Sequence, residues 1–314
     1  MSSTETVFKG LSSFRQPCWS IQALFSHLIR PDYYINYYTS AATLTAFLEY
    51  CAMEDIDDLI KQADGSAPAT SEVEKFKNAR GQGIFHVHDV EIRGKDDLWV
   101  AKWPNHERRD ERRLLFIELI IARLGRLFKP RLTPEFLLAM TADTLRTSCP
   151  VKELKICRKP LGEGTAFATH LEDGRASWNR LPAMDGQVGA AILAFQTWTD
   201  AGDPQILGAR ADNSAVSIDH DDYLQSSWEW DGTSAPVITM SASANLEGAD
   251  QFRDIRLFKE FLSQLGQLPA DLIARACGNM PPDWFAPREA RLQIARYLLA
   301  RQPLVEDALL RWIG

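Results

Sequence analysis

The apolar residues change their spacing twice between Phe85 and Met140, and that switch restricts the chain to a mixed α+β fold. Phe85, Val87, Val90 and Ile92 predict one short strand, and Leu98–Trp103 a second. The turn residues Gly94-Lys95-Asp96-Asp97 separate them, so the pair predicts a hairpin. Arg112–Phe128 then repeats at helical spacing and is closed by Pro130 and Pro134. Phe136–Met140 predicts a further strand. The order strand, strand, helix, strand describes a lobe with a small sheet.

The flanks differ. Before residue 81 the pattern is mostly helical: Ser20–Ile29 ends at Pro31, and Thr43–Ile60 follows. The small polar stretch Gln62–Ser71 predicts a loop or linker. After residue 186, an apolar helix over 187–199 precedes two short strands, Gln205–Ala209 and Ala215–Ile218, with turn residues 211–214 between them. Asp254–Trp312 is helical, broken at Gly278 and Pro281-Pro282. The 314 residues thus divide into a helical accessory segment (1–80), a mixed N-lobe (81–145) and a helical C-lobe with a two-stranded insert (146–314).

Composition removes several function classes. A net charge of −7 argues against general nucleic-acid binding. The longest apolar run, Leu114–Leu124, is interrupted by Glu118 and Arg123 and falls short of the about 20 residues that span a bilayer. Met1–Lys9 is polar and carries no apolar signal segment, which predicts a cytoplasmic protein. Cys18, Cys51, Cys149, Cys157 and Cys277 form no CxxC pair, as expected of free thiols in a reducing compartment.

Some charged residues stand where apolar ones are expected. Strand alternation puts Lys102 on the face of Leu98 and Val100. Glu118 has Leu114, Leu115, Ile121 and Ala122 as its helical neighbours, so it lies on a buried face. A buried lone carboxylate costs several kcal/mol or takes up a proton, and Lys102 and Glu118 could satisfy one another. The bland alternative is a structural ion pair. Asp219 ends the second insert strand beside Asp221 and Asp222, a donor set suited to a hard divalent cation or, equally, a solvated acidic turn. Asp200 and Asp203 lie in the helix-to-strand loop before that insert, with Gln205 just beyond. His86 and His88 share one strand face as a weak metal pair. Gly81 and Gly83 could let the backbone approach phosphates, though a plain turn explains them as well.

Several segments in this order resemble the HipA-like kinase family, a bacterial branch of the protein-kinase-like fold. LWVAKWPN followed by LLFIELIIARLGRLF resembles its lysine and helix-glutamate pair, and Gly164–Thr169 its G-x-AFAS segment. AILAFQTWTDAGDPQILGA resembles the catalytic loop, Val216–His220 the LxxIDH segment, and Asn279–Trp284 an IP-x-EW element. The resemblance runs over about residues 81–312 and implies a two-lobed kinase-like fold. It implies ATP and Mg²⁺ as cofactors and a protein Ser/Thr hydroxyl as acceptor. Lys102 and Glu118 would serve the nucleotide phosphates, with Gly81 and Gly83 near them, and Asp219 and Gln205 would hold metal. The catalytic acid would be Asp200 or Asp203. Asp200 is preferred, because Asp203–Leu207 then overlays the family's NPNLL. Ala201 or Pro204 stands where the family has arginine, the loop is shorter, and Gln205 replaces an asparagine. These departures leave room for a second expectation, a pseudokinase that binds nucleotide or a partner and transfers little. Residues 1–80 have no counterpart in the family.

Overall fold

Lys102 lies on the outer face of a barrel because side chains alternate between the two faces of its strand. The computed structural model describes residues 56–80, 86–103, 112–141, 164–170, 174–177, 185–209, 215–230, 232, 236, 238–245 and 248–314. Five strands close a barrel in the order β1 (Thr70–Ala79), β2 (His86–Ile92), β3 (Leu98–Trp103), β5 (Thr165–His170), β4 (Phe136–Thr141). The β1–β4 pairing is parallel and the others are antiparallel. Along β3, Trp99, Ala101 and Trp103 are buried, with Val73, Val90, Ile92, Ala139, Ala166 and Ala168 completing that interior. Leu98, Val100 and Lys102 take the other face, as alternation requires.

The second core forms around two helices that are apolar nearly all round. In α2 (Arg112–Gly125), every residue from Leu115 to Ala122 is buried, Glu118 included. In α3 (Gly186–Trp198), Gly189 through Trp198 are all buried; such a helix belongs in a core rather than on a surface. Asp185 starts α3 by accepting from the backbone N–H groups of Gln187 and Val188. Three antiparallel strands make a second sheet: β6 (Gly174–Ser177), which precedes α3, and β7 (Gln205–Ala209) and β8 (Ala215–Ile218) after it. The helices α4 (Lys259–Gly266), α5 (Ala270–Cys277), α6 (Arg288–Arg301) and α7 (Val305–Ile313) complete a two-lobed α+β arrangement. No helix among the described residues is long and apolar enough to cross a membrane.

The boundary at residue 80 is corrected. Helix α1 (Ile56–Asp64) packs on α5 and α6: the Asp64 carboxylate accepts two Arg291 bonds of 2.8 Å and one of 2.7 Å from Asn279 N. Six residues later the chain is already in β1, between β2 and β4 of the barrel. The polar stretch Gln62–Ser71 is therefore a helix end, a short connection and a strand start. Sequence spacing hides β1 because its register shifts between Val73 and Lys75, so Val73 and Phe76 fall three apart instead of two. The boundary at 145 is crossed too, since β5 lies in the barrel between β3 and β4. The expected helix at Ser20–Ile29 lies outside the described residues, as do Gly81 and Gly83.

Candidate active site

Three elements far apart in sequence bring their charged residues to one point. Lys102 Nζ donates to Glu118 Oε1 and to Asp219 Oδ1, the second contact closing 117 residues of chain. Glu118 is 1% exposed, so its partner decides whether it can carry charge. Asp219 leaves β8 in the left-handed region at φ 56°, a conformation that aspartate tolerates better than most residues. That twist ends the strand alternation and turns the carboxylate toward Lys102. Its other oxygen, Oδ2, accepts from Gln205 Nε2 at 2.9 Å. Gln205 stands opposite Ile218 in the β7–β8 ladder, which brings it beside Asp219.

The charges within this cluster are uneven. Burial opposes the Lys102 ammonium, yet Glu118 and Asp219 hold it above its ordinary range. Burial also pushes Glu118 up, to about 7, against the pull of Lys102. Asp219 is buried too, but Lys102 and the Gln205 amide keep it below its usual value. Asp221 is raised by burial first, and further by Asp219 and Asp222. One ammonium thus faces three carboxylates. Oxygens of Glu118, Asp219 and Asp221 all lie within 4.8 Å of one another, a hard oxygen-donor set that fits a divalent cation such as Mg²⁺. In the sequence Asp221 stands out only as an acid beside Asp219.

The two loop aspartates have different surroundings. Asp203 is exposed, and its Oδ2 is 3.5 Å from the same Gln205 Nε2 that binds Asp219. Asp200, the preferred catalytic acid on sequence, instead accepts from Ser226 N and Tyr297 OH, both at 2.9 Å. It is Asp203, then, that the β7 start joins to the cluster. Gln205 meets both acids through its amide nitrogen, as a hydrogen-bond donor. His88 is buried between Phe76 and Trp103, with ring centroids at 5.4 and 6.1 Å, and is a residue of the barrel interior. The side chain of His86 lies outside the described residues. Cys277 is a free, buried thiol that burial pushes up to about 12.

His220 lines the cluster from below. It is 1% exposed, edge-on to Tyr223 at 5.0 Å, with Nδ1 3.7 Å from Glu118 Oε2. Burial, aided by Lys102, lowers it from 6.5 to about 3. The unfolded histidine takes up a proton near 6.5 and the buried one does not until about pH 3, so acid favours the unfolded chain. Stability carried by neutral His220 is present above pH 6.5 and is lost as the pH falls toward 3, by about 1.4 kcal/mol per unit. Against His220→Phe, wild type therefore loses ground steadily in urea titrations run from pH 7 to pH 4. A difference that stays constant over that range would show that the imidazole protonates freely.

No family model matches the chain, and no curated protein matches it. Among solved structures it is similar to the Helicobacter pylori proinflammatory kinase CtkA, at 11% identity and a TM-score of 0.43, over 76% of this chain and 96% of that one.

Proposed function

We propose that the protein is a phosphotransferase that uses ATP with Mg²⁺. The observation that carries this is the convergence of Lys102, Glu118 and Asp219 from a strand, a helix and a strand end. In phosphoryl transfer the protein positions and neutralises charge, and does little covalent chemistry itself. Lys102 would hold phosphate oxygens, and Glu118 would fix the direction of its ammonium. Asp219 and Asp221 would hold Mg²⁺, which supplies neutralising charge to the phosphates. Asp203, exposed and one amide away from Asp219, would accept the proton of the attacking hydroxyl. Gln205 holds the Asp219 carboxylate in place. The acceptor assigned is a serine or threonine hydroxyl of a protein, on the family resemblance alone.

A second reading is a nucleotide-binding or partner-binding module with little transfer. Pro204 directly after Asp203 favours it, because no cation of that loop then follows the acid. Incubation with γ-labelled ATP and Mg²⁺ separates the two. The phosphotransferase labels itself or an added Ser/Thr protein. A melting temperature raised by ATP and Mg²⁺ with no label moved selects the binding module; no shift with either overturns the phosphotransferase and the nucleotide-binding module, leaving only a partner-binding one.

A further inference from the structure

Asp200 sits at a junction of two chain segments. Its backbone is left-handed, at φ 53°, as are Asp219 at 56° and Leu224 at 60°. A buried leucine in that region is strained, and such strain persists only where the surroundings enforce it. Here they do. Leu224 N donates to both Thr199 O and Asp200 O at 3.1 Å, and Gly202 N to Asp222 O at 2.8 Å. The Asp200 carboxylate closes the junction by accepting from Ser226 N. A Cβ on Gly202 would meet Gln225 Nε2 at 2.6 Å and Asp222 Oδ2 at 2.9 Å, so the two segments lie against each other.

A buried cation on α6 holds the junction from behind. Arg301 is 1% exposed; its Nε donates to Trp198 O at 2.8 Å and its guanidinium to Thr197 O at 2.5 Å. The same guanidinium donates to Tyr297 OH at 2.8 Å, and Tyr297 OH donates in turn to Asp200 Oδ2. Arg301 Nη2 lies 3.8 Å from Asp200 Oδ1, so the carboxylate also faces its charge. Both oxygens of Asp200 are thus directed at the scaffold.

We infer that Asp200 is a positioning residue: with Tyr297 and Arg301 it locks the loop 199–203 to the segment 222–226, so that Asp203 and Gln205 keep station beside Asp219. The kinetic arm of its test rests on the phosphotransferase reading; the exchange arm does not. Asparagine has the same shape, tolerates the left-handed backbone and, through its one oxygen, still accepts from Ser226 N and Tyr297 OH, giving up only the 3.8 Å approach of Arg301 to Oδ1. A positioning role therefore makes Asp200→Asn a rescue and Asp200→Ala a defect, whereas a proton acceptor is lost equally in both. Tyr297→Phe, which keeps the ring and removes one hydroxyl, is a smaller lesion should Asp200→Ala fold poorly.

The experiment is hydrogen exchange on the full chain, followed by transfer kinetics with ATP and Mg²⁺. Asp200→Ala and Tyr297→Phe should speed exchange at Gly202, Leu224 and Ser226 together by about tenfold, with Asp200→Asn close to wild type. Transfer should fall at least tenfold in kcat for Asp200→Ala, with the KM for ATP within about twofold, and within about threefold of wild type for Asp200→Asn. Exchange unchanged in both Asp200→Ala and Tyr297→Phe overturns the lock. Asp200→Asn as inactive as Asp200→Ala, with exchange unaltered, overturns it in favour of a catalytic acid. Wild type that moves no phosphate removes the phosphotransferase reading and leaves the exchange result to decide the lock.

Discussion

Asp219→Asn should abolish transfer at only a modest cost in stability, about 1 kcal/mol. Transfer is expected to fall on the order of a thousandfold, the scale seen when a preorganised charge aimed at the reacting group is removed. Stability should fall only modestly: Lys102 and the Gln205 amide favour ionised Asp219, but that carboxylate is crowded by Glu118 and Asp221. Removing one of three crowded carboxylates relieves the repulsion that raises Asp221, and Lys102 keeps Glu118 as its partner. A purely structural ion pair predicts a much larger loss with transfer intact: losing one partner of a buried pair typically costs about 3–5 kcal/mol. Transfer of label from γ-labelled ATP, measured beside a urea midpoint, distinguishes the two. An Asp219→Asn protein that is several kcal/mol less stable yet transfers normally would reduce the cluster to scaffolding.

That cluster was partly legible in the sequence. Lys102 and Glu118 each break an apolar stripe, one of period two and one of helical period, and each break is visible locally. Asp219 is visible as an acid at a strand end. Asp221 is visible only as a neighbouring acid, and nothing local separates it from Asp222, because its approach depends on the left-handed turn at Asp219, which no spacing rule announces. Local pattern does not separate Asp200 from Asp203, since both lie in one loop, and the family overlay favours Asp200. What separates them is Tyr297, 97 residues away, and Gln205, which the β7–β8 register carries to Asp219.

The fold divides in the same way. The hairpin β2–β3, the helix α2 and the insert strands β7 and β8 follow from local pattern, and they occur where that pattern places them. The barrel does not follow. Its closure needs β1, whose bulged register disguises a strand, and β5, which pairs with strands well before it in the chain. Non-local pairing of this kind leaves little trace in the spacing of residues. The same holds for α1, whose Asp64 finds Arg291 across 227 residues.

Trp198→Ala should be the most destabilising single change among the helices behind the site. The indole is fully buried at the end of α3, 6.0 Å from the Phe128 ring and 6.3 Å from Phe195. Its Nε1 donates to Leu298 O on α6 at 2.9 Å, so the ring joins the central helix to the one that carries Tyr297 and Arg301. Truncating a buried tryptophan removes its contacts and leaves a cavity, a loss of about 3–5 kcal/mol. Trp198→Phe keeps most of the volume and loses the donor; Leu298 O still has the Gln302 N–H, so about 1–2 kcal/mol is expected. The Trp198 carbonyl is also an acceptor for Arg301, so a shift of this residue reaches the loop directly after it. Urea unfolding of both variants gives the order, with alanine well below phenylalanine and phenylalanine below wild type. Equal midpoints for all three would show that α3 and α6 are held together elsewhere, and that the loop bearing Asp200 and Asp203 is not set by this joint.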